Sequence, residues 1–226
     1  MATREPVVRQ RAMSPYRTTS FAAGVLYLLT FVSIPTLALY GPVHDPRFIV
    51  GPGPDTGVFF GGMLEVIVAL ACIGTAVALF PVVKRQNEGV ALGFVGVACL
   101  LSVVTLRQAG AGAEALPTGR ALVAMYDRMF LIGQSFLPAV NAVLLGSLLY
   151  RSRLVPRVLP LIGFIGVPLL VAADVAVLFG VIGRSAPPAA LAAIPIALWE
   201  LSLGVWLVVK GFNPAPILTS DTRTRA

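Results

Sequence analysis

Four acidic residues of this chain, Glu65, Asp127, Asp174 and Glu200, stand inside apolar runs long enough to cross a bilayer. A carboxyl in hydrocarbon is costly unless it is protonated, paired or bound to a cation, so each is a candidate for ligand or proton chemistry. They have polar company. Within Met125 to Asn141 (MYDRMFLIGQSFLPAVN), Asp127, Gln134 and Asn141 are spaced by seven, which keeps them close to one face of a regular helix. Such a stripe is expected to point into a helix bundle, with Arg128 beside it and Arg107 as a second cationic partner. With each helical residue advancing about 1.5 Å, Asp127 is expected roughly 9 Å, Glu65 roughly 12 Å, Asp174 roughly 14 Å and Glu200 roughly 17 Å below the outer ends of their helices. Four carboxyls at shared depth would line one acidic pocket. The plainer alternative is that they pair with Arg107 and Arg128 and only fix helix register.

Other chemistries find little support. No HExxH or clustered Cys/His pattern recruits zinc, and His44, the single histidine, sits in a Gly/Pro loop with Asp45 and Asp55, where it reads as solvated. Asp127 and Asp174 on neighbouring helices have the look of an intramembrane aspartyl pair, yet the Gly-x-Gly-Asp companion is missing before Asp174. Gly133-Gln134-Ser135 lacks the later glycine of a nucleophile elbow. Neither a metal nor a cofactor is expected.

The elements that would position these residues are long and apolar. The chain is 57% hydrophobic and 12% charged, with a mean hydropathy of +0.88. That profile marks an integral membrane protein. Six spans are read, at about Ser20 to Tyr40, Gly57 to Val83, Gly89 to Leu106, Ala121 to Tyr150, Val158 to Ile182 and Ala189 to Val209. The expected fold class is therefore all-α, a six-helix transmembrane bundle over 20–210, with polar tails at 1–19 and 211–226. Gly41 to Asp55 reads as an irregular external loop, and Pro35 is expected to bend the first span near its far end. Pro138, Pro168 and Pro195 are placed to kink three others and free carbonyls toward a cavity.

The net charge of +7 comes from basic residues in short loops rather than on one soluble face, so nucleic acid is not an expected partner. Arg4, Arg9, Arg11, Arg17, Lys84, Arg85, Arg151, Arg153, Arg157, Lys210, Arg223 and Arg225 fall on one side and Arg47, Arg107, Arg120 and Arg184 on the other. Cytoplasmic loops retain positive charge, which puts both termini in the cytoplasm. Glycine and alanine stripes surround Glu65 (Gly61, Ala69, Cys72, Ala76) and Glu200 (Ala193, Ala197, Gly204) and read as packing seams.

Three stretches resemble an uncharacterised bacterial multi-pass membrane family, domain of unknown function 4386. They are GVLYLLTFVSIPTLALY from Gly24, LEVIVALACIGTAVALFPVVKRQNEGVALG from Leu64, and LLGSLLYRSRLVPRVLPLIGFIG from Leu144. The resemblance implies a six-helix protein of a bacterial plasma membrane and no assigned chemistry. It also implies an Arg and a Glu one turn apart in the third helix, where this chain reads FVGVACLL instead. The expected partners are the lipid bilayer and a small-molecule ligand, with homo-oligomers left open. The leading functional expectation is binding or transport of a small cationic or amphipathic molecule, or of protons. An intramembrane enzyme acting on a lipid-like substrate and a structural or sensory subunit are the alternatives.

Overall fold

The computed structural model describes residues 15–51, 56–84, 116–184 and 186–213, and among these residues it is all-helical. The first span is built in pieces. Helix α1 (Pro15–Leu29) passes into a 3-10 segment, Thr30–Ser33, and then α2 (Ile34–Leu39). Pro35 sits in the first turn of α2. Having no N–H, it leaves the carbonyl one turn earlier without a helical donor, and the tighter 3-10 turn is found immediately before it.

The following external segment is more ordered than its turn-rich composition suggests. It holds a 3-10 turn, Gly41–His44, and a short helix, α3 (Pro46–Val50). Asp45 caps α3 by accepting a 2.9 Å hydrogen bond from the Arg47 backbone N–H, with Pro46 in the first turn. Helix α4 (Thr56–Lys84) is 29 residues long. At roughly 43 Å it exceeds a hydrocarbon core of about 30 Å, so it tilts or projects beyond it.

The expected fourth span begins earlier than Ala121 and is not one regular helix. Helix α5 (Leu116–Phe130) is followed by a π-helical segment, Leu131–Phe136, and by α6 (Leu137–Ser152). Pro138 again supplies the local reason, since it cannot donate to the carbonyl of Gln134. Helices α7 (Val158–Leu178) and α8 (Pro187–Val209) complete the described set. Four helical stretches, Tyr16–Thr36, Thr56–Val83, Val158–Leu178 and Pro187–Val209, are long and apolar enough to cross a membrane. The expected third span, and Arg107 with it, lies outside the described residues.

Helix α8 packs between α1 and α7; α1 also packs on α4, and α7 on α6. Their shared core holds Tyr27, Leu79, Leu145, Leu170, Trp199 and Leu203, all buried. Two crossings are very close. A Cβ on Gly24 would lie 2.8 Å from the Val208 nitrogen and 2.9 Å from the Gly204 oxygen, and one on Gly166 would lie 2.9 Å from the Ile196 nitrogen. The small residues are there because backbones touch. The opposite faces carry exposed Met63, Leu70, Val77, Ile165, Leu169, Leu198 and Val205, as expected of surfaces turned to lipid.

One end of the bundle is fastened by Arg17, whose guanidinium donates to the Leu207, Val208 and Val209 carbonyls at 3.3, 2.7 and 3.1 Å. These are the otherwise unpaired acceptors at the C-terminus of α8, where a cation also meets the negative end of the helix dipole. Gly211 follows in the left-handed region at φ +77, and a Cβ there would come within 2.9 Å of Arg17 Nη1. Asn213 then binds the Leu154 carbonyl through its backbone N–H at 2.7 Å, joining the α8 end to the α6–α7 loop.

Candidate functional site

The polar residues picked out in the sequence fall at distinct levels along the bundle. At the rim, His44 Nε2 lies 3.2 Å from Asp127 Oδ1, and Arg184 Nη1 lies 2.9 Å from the same oxygen. The Arg184 guanidinium also covers the Phe130 ring, 4.6 Å from its centroid. His44 and Arg184 belong to connections outside the spans, and α5 packs on α3 and the Gly41–His44 turn. Asp127 is thus met by groups of these connections and is one-third exposed. Arg128 stays at the same end, where its guanidinium approaches the Leu178 carbonyl at the C-terminus of α7 at 3.5 Å.

Just below the rim, Ser135 in the π segment donates a 2.6 Å hydrogen bond to Asp174 Oδ1 on α7. Asp174 is 7% exposed, and its Oδ2 is buried with no hydrogen-bond partner among the described residues. It lies one turn from the end of α7, roughly 6 Å in, because that helix stops at Leu178 rather than Ile182. Glu65 on α4 is 2% exposed and neighbours the Tyr40 phenol. Burial, then the charge of Glu65 and a hydrogen bond to it, push that phenol above its ordinary range. Gly61, one turn before Glu65, makes room for the same ring, since a Cβ there would lie 2.6 Å from Tyr40 Cε1.

The deepest level is on α6. Asn141 Nδ2 donates to the Tyr27 hydroxyl at 2.8 Å, and Glu200 follows the buried Trp199 on α8 and is itself partly buried. Asn141, which the sequence leaves without a named partner, thus has one on α1. Gln134 lies in the π segment. That segment also alters the stripe. A π turn holds one more residue than an α turn, so faces before and after it are out of step by roughly 100°. Asp127 and Asn141 consequently address different neighbours despite their spacing of two sevens.

The described contacts give three of the carboxyls separate neighbours: Asp127 the rim histidine and arginine, Asp174 a serine, and Glu65 a tyrosine. Sequence reasoning read His44 as solvated and set Ser135 aside with the nucleophile elbow, and it passed over Arg184, Tyr40 and Tyr27 as site residues. Of those three, the two tyrosines carried a signal, as phenols inside or at the end of an apolar span, where a buried O–H needs a partner. Ala197, expected on the α8 seam, is exposed, whereas Gly204 is buried against Leu28 and Gly24.

With this geometry in place, comparison with known proteins finds that the family model described as Domain of unknown function (DUF4386) covers residues 22–211. The chain belongs to this family. The match takes in the spans, the rim and every candidate residue, so the polar levels lie within the family's own domain. No curated protein and no solved structure matches the chain.

Proposed function

We propose that this member of the family is a six-span protein of a bacterial plasma membrane, with its basic end in the cytoplasm. We further propose that it binds or transports a small cationic or amphipathic molecule, or protons, through the polar groups on the inner side of α4, α6, α7 and α8. Glu65, Asp127, Gln134, Asp174, Glu200 and Asn141 would serve the ligand, with Arg107 and Arg128 as counter-charges. The levels follow one another along the fourth helical path: Asp127 to Ser135 is roughly 12 Å and Ser135 to Asn141 roughly 9 Å of helix rise.

The observation that carries this reading is Asp174. Its Oδ2 is buried and unpartnered among the described residues, while Oδ1 is held by Ser135. A buried acceptor left unpaired costs about 1–3 kcal/mol, and more if charged. A ligand that brings a proton, an N–H or a positive charge completes the site.

Thermal unfolding of the purified protein in detergent, with tetraphenylphosphonium, ethidium or spermidine added singly, tests the proposal. A ligand at one hundred times its Kd stabilises by about 2.7 kcal/mol, a readily measured shift. The expected result is a rise in Tm with at least one cation, absent in Asp174→Asn. Equal shifts in wild type and Asp174→Asn would remove Asp174 from the site. An Asp174→Asn protein of raised Tm in which no carboxyl variant alters any response would favour a purely structural role.

A further inference from the structure

The connection between α6 and α7 is short, basic and firmly held. Arg153 closes α6 in the left-handed region at φ 56, with its N–H donating to the Leu149 carbonyl at 3.1 Å. Its own carbonyl accepts from Asn213 Nδ2 at 3.3 Å, and the Leu154 carbonyl from the Asn213 backbone N–H at 2.7 Å. Leu154 and Val155 are buried, while Arg151, Arg153 and Arg157 around them are exposed. The loop is thus pinned at its middle and presents three guanidinium groups outward. Among the described residues no carboxylate stands in this loop, in the first turn of α1 or α7, or in the last turn of α4, α6 or α8, and none pairs with these arginines.

Arg157 is the most constrained of the three. Its Nε donates to the Tyr150 carbonyl at 3.4 Å, and its guanidinium lies over the Tyr150 ring, 4.9 Å from the centroid. Tyr150 is backed in turn by Phe164 of α7, ring centroids 6.2 Å apart. A guanidinium carries five N–H groups, so this arrangement fixes the fork and leaves its remaining donors for an anion, with less side-chain entropy to lose on binding. Retention of positive charge at the cytoplasmic end accounts for the number of basic residues here. It does not account for one of them being folded onto an aromatic ring.

Below Arg157 the surface of α7 is apolar. Val158, Leu161, Ile165 and Leu169 are exposed, and their spacing of three and four places them along one side of the helix. From Val158 to Leu169 the rise is roughly 16 Å, about half of a hydrocarbon core of about 30 Å and hence one leaflet deep. A fixed cation at the head of an apolar strip of that length matches a molecule with an anionic head and a hydrocarbon tail. A soluble anion would use only the head of this surface, and an uncharged lipid only the strip. We propose that Arg157, with Arg151 and Arg153 of the same loop adding charge, binds the phosphate of an anionic phospholipid, one chain of which lies along Val158, Leu161 and Ile165. This site is at the opposite end of the bundle from Asp174 and does not depend on a ligand binding there.

Native mass spectrometry of the intact protein released from detergent micelles tests it, with dioleoylphosphatidylglycerol, dioleoylphosphatidylcholine or inorganic phosphate added at equal concentration. The expected result is tighter binding of phosphatidylglycerol than of phosphatidylcholine, with inorganic phosphate neither binding nor displacing the lipid. One basic residue near an anionic headgroup is worth about fivefold in affinity. Arg157→Gln is therefore expected to weaken phosphatidylglycerol by about fivefold, and Arg157→Lys, which keeps the charge without the planar fork, to restore only part of it. Lys210→Gln, which removes the same charge from the end of α8, is expected to change binding by less than about twofold. Equal affinity for the two lipids would overturn the proposal, as would displacement of phosphatidylglycerol by inorganic phosphate. Equal weakening by Lys210→Gln and Arg157→Gln would also overturn it, since only diffuse charge would then be at work. The choice between lipids is read on the wild-type chain, so it decides the matter even if Arg157→Gln lowers the Tm.

Discussion

The Asn141–Tyr27 hydrogen bond lends itself to a double-mutant cycle. At 2.8 Å, between residues 8% and 4% exposed and 114 positions apart, it is a buried link between α1 and α6. Tyr27→Phe removes the acceptor and leaves both polar atoms of Asn141 unpaired. In water-soluble proteins that costs about 1–3 kcal/mol. Inside membranes such bonds average about 0.6 and reach about 1.7 kcal/mol, because the unfolded chain also finds partners there. The membrane figure governs here, so Tyr27→Phe is expected to cost about 0.6–1.7 kcal/mol. Asn141→Leu takes away the N–H that the Tyr27 hydroxyl accepts but also removes the unpartnered Oδ1, so it is expected to cost less. The double variant, with apolar groups on both sides, is expected close to wild type, giving a coupling of about 1 kcal/mol. Reversible unfolding in mixed micelles of dodecyl maltoside and sodium dodecyl sulfate measures all four corners. Additivity within about 0.5 kcal/mol would show that the two side chains do not act together, and would remove the inner level.

Other perturbations reach other parts of the fold. Arg17→Gln removes the guanidinium that holds three carbonyls at the end of α8; a loss of about 1–2 kcal/mol is expected in the same unfolding assay, with Arg17→Lys recovering only part of it. Gly24→Val places a Cβ 2.8 Å from the Val208 nitrogen, and since backbone cannot give way, the α1–α8 crossing must open at a cost of about 1–3 kcal/mol or more, read as a lower Tm. By contrast, Arg184→Gln breaks a rim ion pair in which Asp127 is one-third exposed. It is expected to change unfolding by less than about 1 kcal/mol, while proteolysis within 179–186 accelerates.

The apolar spans were legible because length and composition decide them: α7 and α8 fall close to the stretches read from hydropathy alone. The fourth helical path begins at Leu116, five residues before the Ala121 read from the sequence. Leu116–Phe130 carries Arg120, Asp127 and Arg128 on a mixed surface, and this amphipathic character, unlike the unbroken apolar run after it, was the available sign that α5 packs on the Gly41–Val50 connection. The Asp45-Pro46 pair was likewise a helix start inside a segment taken for an irregular loop. The π segment had only Pro138 to announce it, and a proline marks an interruption without specifying its kind. Which carboxyl meets which neighbour depended on helix order and rotation. Ser135 reaching Asp174, or Asn141 reaching Tyr27, is a contact between distant helices that no spacing within one helix encodes.

Proton movement across liposomes tests the central claim most directly. Purified protein is reconstituted with pyranine inside, an external acid pulse is applied with potassium and valinomycin to balance charge, and initial acidification is compared for wild type, Asp174→Asn and Glu200→Gln at matched incorporation and Tm. The account predicts acidification above protein-free liposomes in the wild type and its reduction to that background in both variants. Wild-type flux that both folded variants retain in full would contradict it.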